Sequence, residues 1–219
     1  VRRRGFPLAL GLLLLCATAV GGVAWVRRTE RERIRGLLNQ VREAVLGFED
    51  AVYRTDVAEE GRRTLATQPE DLLEALLARE PRSGSAHSWR GVVRILLGRA
   101  QEGRADLDRG CALSPDLAEP WLLRARDRIE RYFALRGLEV ASMSSTGVHW
   151  TPTHPETEEE RTLREGALSD LERAGEHPDG DTDREQRCVR AWIWLGAGGT
   201  ERAGDALRED LARVEMELA

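Results

Sequence analysis

The chain of 219 residues contains no lysine; every one of its 33 basic side chains is arginine. A single basic residue type used throughout reflects GC-rich coding before it reflects function. Aromatic residues are scarce at 5%, and six of them are tryptophan. Cysteine is limited to Cys16, Cys111 and Cys188, with no Cys-x-x-Cys pair and no matching histidine spacing. That excludes a structural zinc site of the usual Cys and His spacing. A Cys111–Cys188 disulfide is one option, but spacing along the chain does not bring two Cα atoms within bonding reach. The formal net charge of −5 argues against nucleic acid as the main partner, because phosphate binding needs a basic field. Reaction motifs are missing too. Ser142, Ser144 and Ser145 lack the glycine-flanked elbow of a serine hydrolase. The Gly196–Gly199 run has no lysine and no preceding strand for a phosphate loop. Glu156 and Glu158 to Glu160 lie outside any EF-hand pattern and suit a helix N-terminus instead.

What is present is an apolar start followed by helical periodicity. Arg2 to Arg4 precede an uncharged run, Gly5–Val26, which Arg27 and Arg28 close. About 20 helical residues span a bilayer core of about 30 Å, so this run is long enough. Trp25 would sit near the headgroups. Residues 1–28 are therefore expected to be a single-pass anchor. The competing reading is a signal peptide cleaved near Ala17-Thr18-Ala19. A short basic N-terminal tail usually stays in the cytoplasm, which places the rest of the chain on the exported side, periplasmic or extracellular; the cytoplasm is the alternative. Residue 1 is valine. That fits an alternative start codon or a cut from a longer chain.

Residues 29–68 form the second segment, a long juxtamembrane helix to about Ala58. Ile34, Leu37, Leu38, Val41, Val45, Phe48 and Val52 recur every three or four positions as one apolar stripe. The stripe is expected to pack on the helices that follow. A homodimeric coiled coil is the alternative, although only about three heptads fit.

Residues 69–219 are expected to be paired helices. Pro69 with Glu70 and Asp71 marks a helix start, and Pro81 marks its end. A helix to Leu97, a turn at Gly98 and a second helix to Leu113 follow, with Pro115 as the next stop. Pro81 and Pro115 are 34 positions apart, and at the same offset Leu73 meets Leu107, Glu74 meets Asp108 and Ala78 meets Ala112. A helix from Ala118 carries Trp121, Ala125, Ile129 and Tyr132. Its partner arrives only at Glu158, after an irregular insertion at 137–157. There Ala167, Leu171 and Ala174 repeat the spacing of Gly103, Leu107 and Gly110. Two more helices, Thr182 to Leu195 and Thr200 to about Leu218, close the chain.

With its glycine, alanine and proline punctuation, Trp89 to Ala125 resembles a tetratricopeptide repeat, a 34-residue helix–turn–helix unit. The likeness covers roughly residues 69–218. Arg90 and Arg94 stand where the family has apolar residues. The resemblance implies an all-α fold, a tetratricopeptide-like α-solenoid of helical hairpins preceded by a transmembrane helix and the juxtamembrane helix. It also implies a scaffold or adaptor, not an enzyme, whose concave groove holds a protein or peptide. By the family's intervals, Ser88, Arg126 and Trp192 would face that groove, and an arginine with an aromatic neighbour suits a peptide carboxylate. No catalytic, cofactor or metal residue is expected. The alternatives are an accessory or sensor segment of a larger signalling protein, such as a membrane kinase cut before Val1, and a metal enzyme using His149, His154 and Glu156 in the insertion. His87 and His177 are expected at solvated turn edges.

Overall fold

The computed structural model describes residues 6–54, 57–144 and 147–177, with residues 6–24, 54 and 138–152 as backbone only. The segments expected to form the last two helices, Thr182 to Leu195 and Thr200 to about Leu218, together with Trp192 and Cys188, lie outside the described residues. Among the described residues six helices follow one another: α1 (Phe6–Arg54), α2 (Glu59–Arg79), α3 (Gly84–Leu96), α4 (Ala100–Leu113), α5 (Ala118–Arg136) and α6 (Glu158–Gly175). Between α5 and α6 lie β1 (Leu138–Ser144) and β2 (Gly147–Pro152), an antiparallel pair with a register shift between Val140 and Ser142. The core is all-helical. The insertion expected to be irregular is instead a two-stranded hairpin outside that core.

Each helix packs on its neighbour in sequence, as α1 with α2, α3 with α4, and α5 with α6. Across pairs, α1 meets α3 and α3 meets α5, while α2 meets α3 and α4 meets α5. One apolar cluster joins Val41, Val45 and Phe48 of α1 to Leu73 and Leu76 of α2 and to Trp89 and Val93 of α3. A second joins Trp121, Ala125 and Ile129 of α5 to Ala167, Leu171 and Ala174 of α6. The stripe of α1 is therefore covered by the chain's own α2 and α3, the surface a coiled-coil dimer would have used.

Two boundaries differ from expectation. Pro69 does not open a helix; it lies buried inside α2, which begins at Glu59. An internal proline loses one backbone bond and crowds the preceding turn. Here the stripe Ala66, Pro69, Leu73 and Leu76 runs through it, all four buried, and tertiary burial outweighs the local penalty. The expected boundary at 68/69 thus falls within a helix. The apolar run and the juxtamembrane helix are also one continuous helix, α1, which ends at Arg54. Among the described residues, no helix is long and apolar enough to cross a membrane. Most of Gly5–Val26 lies outside the residues with described side chains; Trp25 and Val26, at its end, are exposed.

Local chemistry sets the turns. The Ser83 hydroxyl caps α3 by accepting from the Ala86 N–H at 3.3 Å. Gly98 adopts φ +80°, a left-handed turn that favours glycine, and the Arg99 N–H closes it on the Arg94 carbonyl at 2.8 Å. Thr157 and Glu160 form a reciprocal capping box at the start of α6.

Candidate functional site

Two hairpins carry the same charge clamp, 34 positions apart on their first helices. Arg90 donates to Asp106 from Nε at 2.8 Å and Nη2 at 2.6 Å, and Arg94 donates from Nη1 at 2.5 Å. Arg124 donates to Asp170 from Nε at 3.0 Å and Nη2 at 2.6 Å, and Arg128 donates from Nη1 at 2.6 Å. Both carboxylates are buried, so Arg90 and Arg94, which stand where apolar residues were expected, and Arg124 with Arg128 are the partners these charges require. Burial alone would raise the Asp106 pKa. The hydrogen bond from Arg90 and the charges of Arg90 and Arg94 outweigh it and hold the carboxyl below its ordinary value.

A ring N–H latch repeats at the same offset. Trp121 Nε1 donates to the Pro115 carbonyl at 3.1 Å, and His87 Nε2 lies 3.0 Å from the Pro81 carbonyl. The expectation of a solvated His87 is corrected, since it is 4% exposed. With Nε2–H directed at Pro81, Nδ1 accepts from Arg90 Nη2 at 3.1 Å. Burial, with opposition from the Pro81 hydrogen bond, pushes its pKa down, and the Arg90 and Arg109 charges add to the fall. His177 is exposed, as expected.

These clamps hold the helices together. A shallow cleft of about 20 Å³ lies over α3, with α1 on one wall and α5 on the other. Val92, Ile95 and Leu96 with Leu123 form the apolar part, and Glu49, Arg126 and Glu130 the polar rim, beside Tyr53. Two ion pairs tie the walls together. Arg42 Nε donates to Glu119 Oε1, which also accepts from Trp89 Nε1 at 3.0 Å. Seven residues further along both helices, Arg126 pairs with Glu49. Arg126 Nε also donates to Glu130 Oε1 at 3.0 Å. Tyr53 has its hydroxyl pKa raised, by burial first and by the Glu130 charge second.

Of the three groove residues expected from the sequence, Arg126 lines this cleft. Ser88 does not: it is wholly buried between α3 and α4, against Gly110. Trp192 lies outside the described residues. Glu49, Tyr53 and Glu130 were not foreseen, because the cleft joins helices about 77 positions apart in the chain. A second depression lies between α2 and α3. Its acids Glu70, Asp71 and Glu74 face Arg90, Arg94 and Arg99, so the charges cancel, and the arginines are committed to Asp106 and Glu102.

His154 Nδ1 and Nε2 lie 2.9 Å and 3.2 Å from the Pro155 and Leu135 carbonyls. Those hydrogen bonds raise its pKa, with the Glu160 charge a smaller contribution. Glu156 accepts from Arg164 at 2.8 Å and 3.1 Å. The His149 side chain lies outside the described residues, and no group of three or more metal-ligating side chains occurs among the described ones. Cys111 is a free, buried thiol, its pKa pushed up to about 12 by burial. Comparison with protein-family models, curated proteins and solved structures found no match.

Proposed function

We propose that this chain is a tetratricopeptide-like solenoid, held at a membrane by Gly5–Val26, that acts as a scaffold or adaptor. It binds a protein or peptide partner in the cleft over α3. The supporting observation is that the first helices of three successive hairpins, α1, α3 and α5, together bound one cleft with an apolar floor and a charged rim. At about 20 Å³ the cleft is a shallow surface depression, suited to contact with the side chains of a partner and too small to enclose a cofactor. Exposed Trp25 and Val26 beside Arg27 and Arg28 support the anchor, as an interfacial aromatic next to basic residues.

The test is a photo-crosslinking amino acid placed at Val92 or Leu96, compared with one at Leu65, which is exposed on α2. Adducts from the cleft positions alone are expected in intact membranes. Equal adducts from all three positions would reject the cleft. For the anchor, removal of residues 5–26 is expected to release the protein from alkaline-washed membranes; continued retention would reject it.

A further inference from the structure

We propose that the occupant of this cleft is a cationic, amphipathic helix from a partner protein. It lays an apolar side chain on Ile95, Leu96 and Leu123 and sets an arginine or lysine between Glu49 and Glu130, in the place Arg126 now holds. This rests on the reading of the cleft as a binding site and adds the partner's chemistry.

The charges on the page carry the inference. Among the lining side chains, Glu49, Asp127 and Glu130 supply three carboxylates, against the single guanidinium of Arg126. Arg104 reaches Asp127 from α4 at 3.2 Å, which leaves Arg126 shared between Glu49 and Glu130. Glu49 is 7% exposed. A partner carboxylate seeking Arg126 would meet both glutamates and would strip Glu49 of its counter-charge. A buried carboxylate left without a partner is costly. An incoming cation does the reverse. It keeps Glu49 paired, while Arg126, at the cleft rim and partly exposed, turns toward solvent. Arg126 therefore acts as a built-in occupant that a better-placed cation displaces. The apolar strip beside the acids supplies the second half of the recognition, as in helix-in-groove binding. The carboxylate ligand suggested by Arg126 in isolation is thus disfavoured once its neighbours are in place.

The experiment uses the full chain in uncharged detergent micelles, with protein-free micelles subtracted. The probes are two fluorescein-labelled helical peptides of about 18 residues, or five turns. They share one leucine stripe and differ in carrying arginine or glutamate beside it. Anisotropy is expected to show the arginine peptide binding at least about tenfold more tightly, with the advantage shrinking as salt rises. Glu130→Gln should weaken the arginine peptide severalfold, and Arg126→Gln should strengthen it by removing the internal competitor. Glu49→Gln should weaken it most; should that variant fail to fold, the half-exposed Glu130 still gives the answer. Preference for the glutamate peptide, or loss of arginine-peptide binding on Arg126→Gln, would overturn the proposal while leaving the cleft a binding site. Binding of neither peptide would also overturn it, and crosslinking at Val92 and Leu96 then decides whether the cleft reading falls as well.

Discussion

The α3–α4 and α5–α6 hairpins solve one packing problem with different parts. Both bury an aspartate from the second helix under two arginines of the first, and both latch a ring N–H to a proline carbonyl. They differ in the small residues between the helices and in the connection. In α3–α4 the contact is glycine on glycine. A Cβ on Gly91 would lie 2.6 Å from the Gly103 carbonyl oxygen, and one on Gly103 would lie 2.5 Å from that of Gly91. In α5–α6 the corresponding positions are Ala125 and Ala167, both fully buried. The first hairpin closes through one left-handed glycine, whereas the second takes in a whole strand pair. The helix interface and its clamp therefore do not depend on the length of the link. The ends of the longer link explain why, since the Thr153 N–H donates to the Gly137 carbonyl at 3.0 Å. The strand pair leaves and returns at one point.

The largest expected effect comes from breaking the clamp. Asp170→Ala and Asp106→Ala should each cost about 3 kcal/mol in chemical unfolding, at the low end for a broken buried pair because the arginines keep some solvent contact. Asp170 should be the worse loss, since its side chain is 2% exposed against 7% for Asp106. Replacing Arg124, Arg128 and Asp170 together by leucine or methionine should recover most of that loss. A triple variant no better than Asp170→Ala would show that the charges do more than satisfy one another.

Next in size is a test of the glycine and alanine interfaces. Gly91→Ala forces a backbone shift and should cost about 2–3 kcal/mol. Ala125→Gly should also destabilise, by about 1–2 kcal/mol, through helix propensity and a small void. A neutral Gly91→Ala in thermal melts would mean that the two interfaces are not as different as their side chains make them.

Excising residues 138–152 and joining Gly137 to Thr153 through a short glycine–serine link should change stability by about 1 kcal/mol or less, as loop-length changes do. Loss of the α5–α6 helices from the circular dichroism spectrum would show that the strand pair holds them together.

The smallest effect separates the hairpins by pH. His87 has a lowered pKa and is neutral in the fold, so below its ordinary value of about 6.5 the unfolded chain gains a proton that the folded chain does not, and stability falls with acidification. At the equivalent position α5 has Trp121, which does not titrate. His154, beside α6, has a raised pKa, so its contribution is complete below about 6.5 and fades as pH rises through the folded value. Hydrogen exchange on moving from neutral to mildly acidic pH should therefore loosen α3 before α5, and His87→Gln should remove that difference. Equal loosening of both helices would break the comparison. The depressed Asp106 acts only lower, costing stability as pH falls below about 4.

Much of the helix pairing was readable from spacing. The prolines 34 positions apart, Gly98 at the turn and the stripe of α1 each mark what the structure contains, because the i, i+3, i+4 rhythm and turn chemistry are local properties. The charge clamps were encoded but less visible. Arg90 with Arg124 and Arg94 with Arg128 share the offset of 34 positions, and an aspartate stands immediately before both Leu107 and Leu171. They read as departures while only apolar positions were compared. The strand pair was hidden because its residues form no continuous apolar run. Pro69 misled because its local preference for a helix start yields to the burial of its neighbours.

The sequence alone determined that helices form, roughly where they turn and which stripe each one hides, since these follow from period and punctuation within a few tens of residues. Only the tertiary structure decided the state of the charges. Whether Arg126 is an open anchor or already held by Glu49, and whether His87 meets water or the Pro81 carbonyl, depends on which distant side chains share a low-dielectric space. Electrostatic partnership across helices 77 positions apart follows from packing, and no local rhythm specifies it.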